Sequence, residues 1–173
     1  MTTTEVGQLL GDIITDYMGL DPSRVVLKDE MFDAPKDQDI YVLIEFESTE
    51  YIGITQEVAP TTGIETMGQS TMEHFAIEIC SRGRSAQDRH QEAMLALFSV
   101  AGQQASEEAQ CSFFRSTPPM DLSSIEGSGA LRRWRIPVIV SNVQTKTAAV
   151  PQIDKFRSEE HTSNSSHVAL SRM

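Results

Sequence analysis

Residues 75–89 read Phe75-Ala76-Ile77-Glu78-Ile79-Cys80, then Ser81-Arg82-Gly83-Arg84-Ser85, then Ala86-Gln87-Asp88-Arg89. The first part alternates apolar and other residues and predicts a β-strand. The second part is polar and predicts a sharp elbow, and the third part opens a helix. Ser85 is a suitable N-cap because its hydroxyl can accept a free backbone N–H, and Asp88 places a carboxylate where the helix dipole favours it. The stretch therefore predicts a strand, an elbow and a helix in direct succession.

Upstream of this stretch, the chain begins with a predicted amphipathic helix. Apolar residues recur at helical spacing between Val6 and Met18, which gives about four turns. Thr2 and Glu5 form a capping box, and Gly19 is placed to end the helix. The segment that follows is rich in Pro and charged residues, so we expect a connection with room for one short strand.

The next predicted strand covers residues 40–48. Ile40, Val42, Ile44 and Phe46 share one side of it, as expected for a half-buried strand. Residues 57–70 are rich in Thr, Gly and Glu and show little periodicity. They predict either a long mobile loop or an extended hairpin arm between this strand and the one that ends at Cys80.

Downstream of the elbow, the pattern predicts one long helix and two more strands. The helix carries an apolar stripe of Ala93, Met94, Leu97, Phe98, Ala101 and Ala105, and such a stripe usually faces a core. One strand passes through Phe113 and Phe114. The other covers residues 131–145 with Trp134, Ile136, Val138 and Val140 on one face. Pro137 lacks a backbone donor and predicts an edge position or a bulge in this second strand.

These elements predict an α+β fold, a two-layer α/β sandwich. Its sheet is mixed and mostly antiparallel, and both the N-terminal helix and the long helix pack on it. At 173 residues the chain is long enough for one domain with a sizeable core. We place that single domain at residues 1–156.

Residues 157–173 break abruptly from the pattern before them. Their sequence, beginning Arg-Ser-Glu-Glu-His-Thr-Ser, resembles translated sequencing-adapter DNA. The alternative is a natural disordered polar tail, which the serine content also favours. On either interpretation the segment contributes nothing to the fold, and we assign it no function.

Charge and cysteine usage exclude several classes of protein. The formal net charge of −11 disfavours a groove that grips nucleic-acid phosphates as the main function. The apolar runs are too short to cross a bilayer, and a basic signal-peptide start is missing, so we expect no membrane partner and assembly in the cytoplasm. Cys80 and Cys111 are predicted to be buried and reduced, because each lies in or at the start of a predicted strand and cysteine is among the residues most often buried. Their spacing fits neither a CxxC motif nor a zinc site.

Candidate catalytic groups are sparse outside the tail. His74 has Glu73 beside it and Glu78 nearby, but a histidine on the polar side of a strand is the better interpretation. His90 is predicted at the surface of the second helix. The segment 127–129, Gly-Ser-Gly, lacks the lysine of a phosphate loop and predicts a tight turn. We therefore predict no catalytic, cofactor-binding or metal-binding residues, and no enzyme activity.

Arginines are clustered in this acidic chain. Arg82 and Arg84 crowd the elbow, with Asp88 close behind, while Arg132, Arg133 and Arg135 crowd one strand. Either these arginines pair with carboxylates of the same chain, or they meet acidic residues of a neighbouring subunit, where the guanidinium fork is favoured. All six residues are candidates for a subunit interface.

The elbow segment 73–89, together with a second block at residues 126–140, resembles the tail-terminator and neck proteins of tailed bacteriophages. The similarity extends over roughly residues 39–156. It implies a tail-terminator-like fold and a structural virion protein that assembles as a hexameric ring. Such a ring caps the tail tube and joins it to the head connector, and the resemblance supplies no catalytic residues.

The resemblance also implies the partners. These are other copies of the chain, the head–tail connector, the tail tube and, as a further candidate, the sheath, while genomic DNA passes through the lumen without specific binding. Another neck connector (stopper) and a tail-tube-associated subunit remain alternatives. A small ligand-binding or enzymatic domain is the alternative from a different class, because a fold does not fix a function.

Overall fold

The structure, a computed structural model, describes residues 1–28, 33–59, 63–115, 117–126 and 129–149. Its helices are α1 (Thr3–Met18), α2 (Ser85–Phe98) and α3 (Val100–Glu108), and a short 3₁₀ turn covers Pro22–Arg24. Its strands are β1 (Val25–Leu27), β2 (Tyr41–Ala59), β3 (Ile64–Ser81), β4 (Cys111–Arg115), β5 (Met120–Asp121), β6 (Ser124–Glu126) and β7 (Gly129–Ala149).

The strands are ordered β1-β2-β3-β7-β4, and β5 and β6 also pair with β7. The β1–β2 pair is parallel and the other pairs are antiparallel. The helices pack on one face of this sheet, where the core forms around Leu10, Phe75, Ile77, Leu97 and Ile136. This arrangement confirms the α+β fold, its helical layer and the mixed, mostly antiparallel sheet.

Helix α1 forms as predicted. The Glu5 backbone N–H donates to Thr2 Oγ1 at 3.3 Å, and the Thr2 N–H donates to Glu5 Oε2 at 2.6 Å, so both halves of the capping box are present. Gly19 ends the helix in the left-handed region at φ 61°, which glycine adopts without a steric penalty. Val6, Leu10 and Ile14 on the inner face of α1 are fully buried.

The predicted N-cap at Ser85 is wrong. Helix α2 already includes Ser85, and its N-cap is Arg84, whose side chain makes no capping hydrogen bond. Ser81 supplies the hydroxyl instead: its Oγ accepts from the Ala86 N–H at 3.0 Å and donates to the Gly83 carbonyl at 3.0 Å. The elbow therefore closes through the last residue of β3, which reaches across the turn.

The predicted long helix is two helices. Ser99 adopts an extended conformation with ψ 164°, and its Oγ donates to the Ala96 carbonyl and accepts from the Gly102 N–H. A Cβ on Gly102 would lie 2.3 Å from the Ala96 carbonyl oxygen, so only glycine allows α3 to approach α2 this closely. Because the chain turns here, Phe98 and Ala101 of the predicted stripe are exposed, whereas Ala105 of α3 still packs against the core.

Strand β7 contains Pro137 without a bulge. Pro137 pairs with Ala76 of β3, and the register is continuous on both sides of that pair. On the other side of β7, β4 pairs with residues 138–142 and β5 with residues 134–135. Pro137 therefore lies in the gap between two short partner strands, where a missing donor costs no ladder hydrogen bond on that side. Of the two predicted alternatives, the bulge is therefore wrong, and Pro137 lies at a local edge of β7.

Several predictions concern residues outside the described ranges. The prediction for the segment 157–173 lies there, as do Gly127 and Ser128 of the predicted tight turn. Of the helices within the described ranges, none has both the length and the apolar character needed to cross a membrane.

Candidate functional site

The most conspicuous surface feature is a three-stranded extension of the sheet. We define the arm as residues 50–59 of β2, 64–72 of β3 and 143–149 of β7, which pair in that order. Every residue at positions 50–58 and 143–149 is exposed. Because neighbouring residues of a strand point to opposite faces, no described element covers either face along these two outer strands. Among the described residues of the segment 57–70, residues 57–59 and 64–70 lie in paired strands, as the hairpin-arm alternative predicts.

Two irregularities in β2 shape the arm. The register with β3 shifts between Phe46 and Ser48, and again between Tyr51 and Gly53. Each shift inserts an extra residue, which bends a strand and increases its twist. Phe46 lies at the first shift and packs edge-on against Phe75, with 5.6 Å between the ring centroids. Along β2 the buried residues end at Ile44, since Phe46 is already 40% exposed, and the exposed arm follows.

The arm carries apolar side chains that nothing described covers. Tyr51 is 68% exposed and Ile54 is 66% exposed. Their partners Thr71 and Gln69 in β3 lie on the same face as the core residue Phe75, so this is the helix-side face of the sheet. A groove of about 420 Å³ on the arm is lined by Ile54, Met67, Gly68, Gln69, Gln144, Thr145 and Lys146. Exposed apolar surface of this kind is typical of an interaction site.

On the face away from the helices, a buried carboxylate organises the arginines of β7. Glu78 is fully buried, and its Oε2 lies 2.5 Å from Arg133 Nη2 while its Oε1 lies 2.6 Å from Arg135 Nη1. Arg135 also donates to Glu45 at 3.1 Å and to Glu47. These contacts show Arg133 and Arg135 paired within the chain, and their role at a subunit interface stays a prediction.

The same group of charges extends to Lys28, the residue directly after β1. Lys28 Nζ lies 2.7 Å from Glu45 Oε1, and this contact, followed by the Arg135 guanidinium, holds the pKa of Glu45 below its usual range. We call the resulting set the charged network; it comprises Lys28, Glu45, Glu47, Glu78, Arg133 and Arg135. Because its three cations and three carboxylates balance, this face presents no net basic surface of the kind that binds phosphates.

The remaining interface candidates lie at the opposite end of β3 from the arm. Arg82, Arg84 and Asp88 are exposed, and Arg132 is half-buried as the β7 partner of Ser81. Within the described part of the chain, these four side chains form no salt bridge. The structure thus separates the six candidates into two paired arginines and four residues at the elbow that are available for contacts.

Within the described ranges, neither His74 nor His90 is part of a catalytic group. His74 is half-buried on the face away from the helices, whereas Glu73 beside it points to the opposite face. Glu78 lies four residues along the same strand, about 13 Å away at the usual rise, and is engaged by arginines. His90, predicted at the surface, is half-buried because its ring stacks on Trp134 with centroids 3.9 Å apart.

Both cysteines are buried and free, as predicted. Burial is the main cause that raises the pKa of Cys80 to about 11 and also raises the pKa of the Cys111 thiol. Neither thiol is therefore an activated nucleophile. In the described ranges, no group of three or more His, Cys, Asp or Glu residues could hold a metal ion.

A second buried carboxylate was not predicted. Glu73 is fully buried, and neither of its oxygens has a hydrogen-bond partner. Burial raises its pKa, while nearby Thr3 and Asn142 partly offset the shift. The alternation of β3 could have indicated this site, because residue 73 has the same parity as the core residues Phe75 and Ile77.

The sequence matches no protein-family model and no curated protein. The fold and the surfaces define a two-layer α+β domain with an uncovered three-stranded arm at one end of its sheet and exposed arginines at the other.

Proposed function

We propose that this chain is a ring-forming structural subunit of a tailed-phage neck, of the tail-terminator kind, and not an enzyme. The observation that carries the proposal is the arm, whose outer strands are exposed on both faces and present Tyr51 and Ile54 to solvent. Two or more strands that bury nothing on either face contribute little to the stability of a lone domain. Contact with another subunit gives such an extension a function.

The surroundings of the arm also support an assembly role. Two long strands, β3 and β7, run continuously from the core into the arm. The arm is therefore held directly by the strands of the central sheet. The charged network ties β1, β2, β3 and β7 together on the face that lacks helices. A rigid sheet with a projecting arm suits a structural subunit better than a catalyst, which needs convergent reactive groups.

A ring requires a head-to-tail interface that uses two different surfaces of each copy. The arm and the elbow arginines lie at opposite ends of β3, so the chain offers two distinct surfaces. On this proposal the copies form a hexameric ring in the virion, with the tail tube and the head connector as neighbours and DNA passing through the lumen. Binding to isolated tube and connector subunits distinguishes a terminator from another neck connector.

The proposal is tested by removing the apolar character of the arm. The double variant Tyr51→Ser/Ile54→Ser should keep the circular dichroism spectrum of the parent but sediment as a monomer, because both side chains lie outside the core. Leu95→Ser is the matched control, since Leu95 is 57% exposed on α2 and lies away from the arm. An arm variant that assembles exactly like the control would contradict the proposed use of the arm.

A further inference from the structure

Both outer edges of the arm lack a partner strand within the described ranges. On one side, β1 pairs only with residues 42–44 of β2, so the edge of β2 at residues 50–59 is unpaired. On the other side, β4 pairs only with residues 138–142 of β7, so the edge of β7 at residues 143–149 is unpaired. A long strand edge without a bound partner is a template for pairing with another chain.

We propose that the β7 edge of one copy pairs with the β2 edge of the next copy, so that the arms of neighbouring subunits form one continuous sheet. This inference rests on the proposed ring and names its interface. Within one copy, β2 and β7 each run antiparallel to β3 and are therefore parallel to each other. Arms that all point the same way consequently pair in parallel across the interface.

Charge favours the pairing of β7 with β2 over the two symmetric pairings, β2 with β2 and β7 with β7. The β2 segment 49–59 holds two glutamates, Glu50 and Glu57, and no cation, whereas the β7 segment 141–149 holds Lys146 and no carboxylate. Pairing β2 with β2, or β7 with β7, would bring like charges together, which is destabilising between adjacent strands. Pairing β7 with β2 joins opposite charges, and the contact is heterologous, as a ring requires.

The β2 and β7 edges of the arm also present side chains on the same face of the sheet, as a continuous sheet requires. In a continuous sheet, residues of neighbouring strands meet only if they lie on the same face. Ile54 lies on the helix-side face, as do Gln144 and Lys146 of β7, because they pair with Gln69 and Met67 of β3. Thr145 lies on the opposite face. The proposal therefore predicts which pairs of residues approach one another between copies.

Cross-linking of the full chain tests this prediction. Ile54→Cys protein is mixed with Gln144→Cys or Lys146→Cys protein and treated with a short thiol–thiol cross-linker, to which the buried Cys80 and Cys111 are inaccessible. We expect covalent dimers in at least one of these mixtures, at least tenfold fewer when Ile54→Cys is mixed with Thr145→Cys, and none from any single variant alone.

The possible outcomes separate this inference from the proposed function. Rings that assemble but give no mixed cross-link would overturn the edge pairing and leave the ring intact. Cross-linked dimers from Ile54→Cys alone would also overturn it, because they require a symmetric β2–β2 contact. Unsubstituted protein that remains monomeric by native mass measurement would contradict the proposed function itself.

Discussion

The Glu78 carboxylate, fully buried in β3, accepts a hydrogen bond at 2.6 Å from Arg135, its direct cross-strand partner in β7. Arg133, two residues away, engages the other oxygen of Glu78. A buried carboxylate needs such partners, since an unpaired buried charge is costly. Paired charges thus occupy part of the sheet face without helices, and they account for two of the three clustered arginines of β7, Arg133 and Arg135.

Replacing Glu78 should be strongly destabilising. In Glu78→Gln, two arginines lose their shared carboxylate, and we expect the free energy of unfolding to fall by about 3 kcal/mol, near the lower end for a broken buried pair because both arginines are partly exposed. Urea denaturation followed by circular dichroism measures the change. The control Glu47→Gln removes an exposed partner of Arg135 and should cost less than about 1 kcal/mol. Equal losses in the two variants would refute a central role for Glu78.

The two serines of the elbow, Ser81 and Ser85, should differ in their contribution to the free energy of unfolding. Ser81→Ala removes the hydroxyl that accepts from the Ala86 N–H, and the loss of a cap costs about 1 kcal/mol. Ser85 lies inside α2, after the N-cap residue Arg84, so Ser85→Ala removes no N-cap and should change stability by less than about 0.5 kcal/mol. The midpoints of urea unfolding for the two variants provide the comparison, and a larger loss for Ser85→Ala would contradict the elbow geometry.

Glu73 should make stability depend on pH. Burial raises the pKa of this carboxyl in the folded state, so the folded protein binds the proton more tightly than the unfolded chain does. The stabilisation is complete below the unfolded pKa and is lost as the pH rises through the folded pKa. Glu73→Gln, which cannot ionise, should therefore gain stability relative to the parent between pH 4 and pH 8. A stability difference that stays constant over this range in paired denaturation curves would argue against the buried carboxylate.

Thiol reactivity should report on unfolding. Cys80 has a pKa of about 11, mainly because of burial, and Cys111 is also buried, so neither thiol is exposed or ionised at pH 8. We expect a thiol reagent to modify both cysteines slowly in native protein and rapidly in urea. Fast modification of native Cys80 would show that the edge of the core near the elbow opens readily.

The sequence predicts the elements that depend on local patterns. The capping box of α1, the strand ending at Cys80 and the alternating face of β7 follow from residue spacing alone, and the structure confirms them. The sequence does not predict the break at Ser99, because the apolar stripe continues past it, and the hydrogen bonds of the Ser99 hydroxyl to the Ala96 carbonyl and the Gly102 N–H depend on the folded structure. The sequence pattern predicts Ser85 as the N-cap of α2, because nothing in it indicates that the Ser81 hydroxyl reaches across the elbow to the Ala86 N–H.

The candidate surfaces were less predictable than the fold. Residues 57–70 allowed a loop or an arm, because exposed strands carry no alternation when neither face is buried. Clustering of Arg133 and Arg135 was visible in the sequence, but their partners Glu45 and Glu78 lie in other strands, and only the register between β2, β3 and β7 brings them together. The buried position of Glu73 likewise depends on packing by α1.

The mass of the assembled protein tests the central claim most directly. Native mass spectrometry of the full chain, at concentrations where the Tyr51→Ser/Ile54→Ser variant stays monomeric, should give a closed species of six subunits that electron micrographs show as rings. A monomer or a dimer at every concentration, with no rings, would contradict a ring-forming neck subunit and favour a small ligand-binding or enzymatic domain.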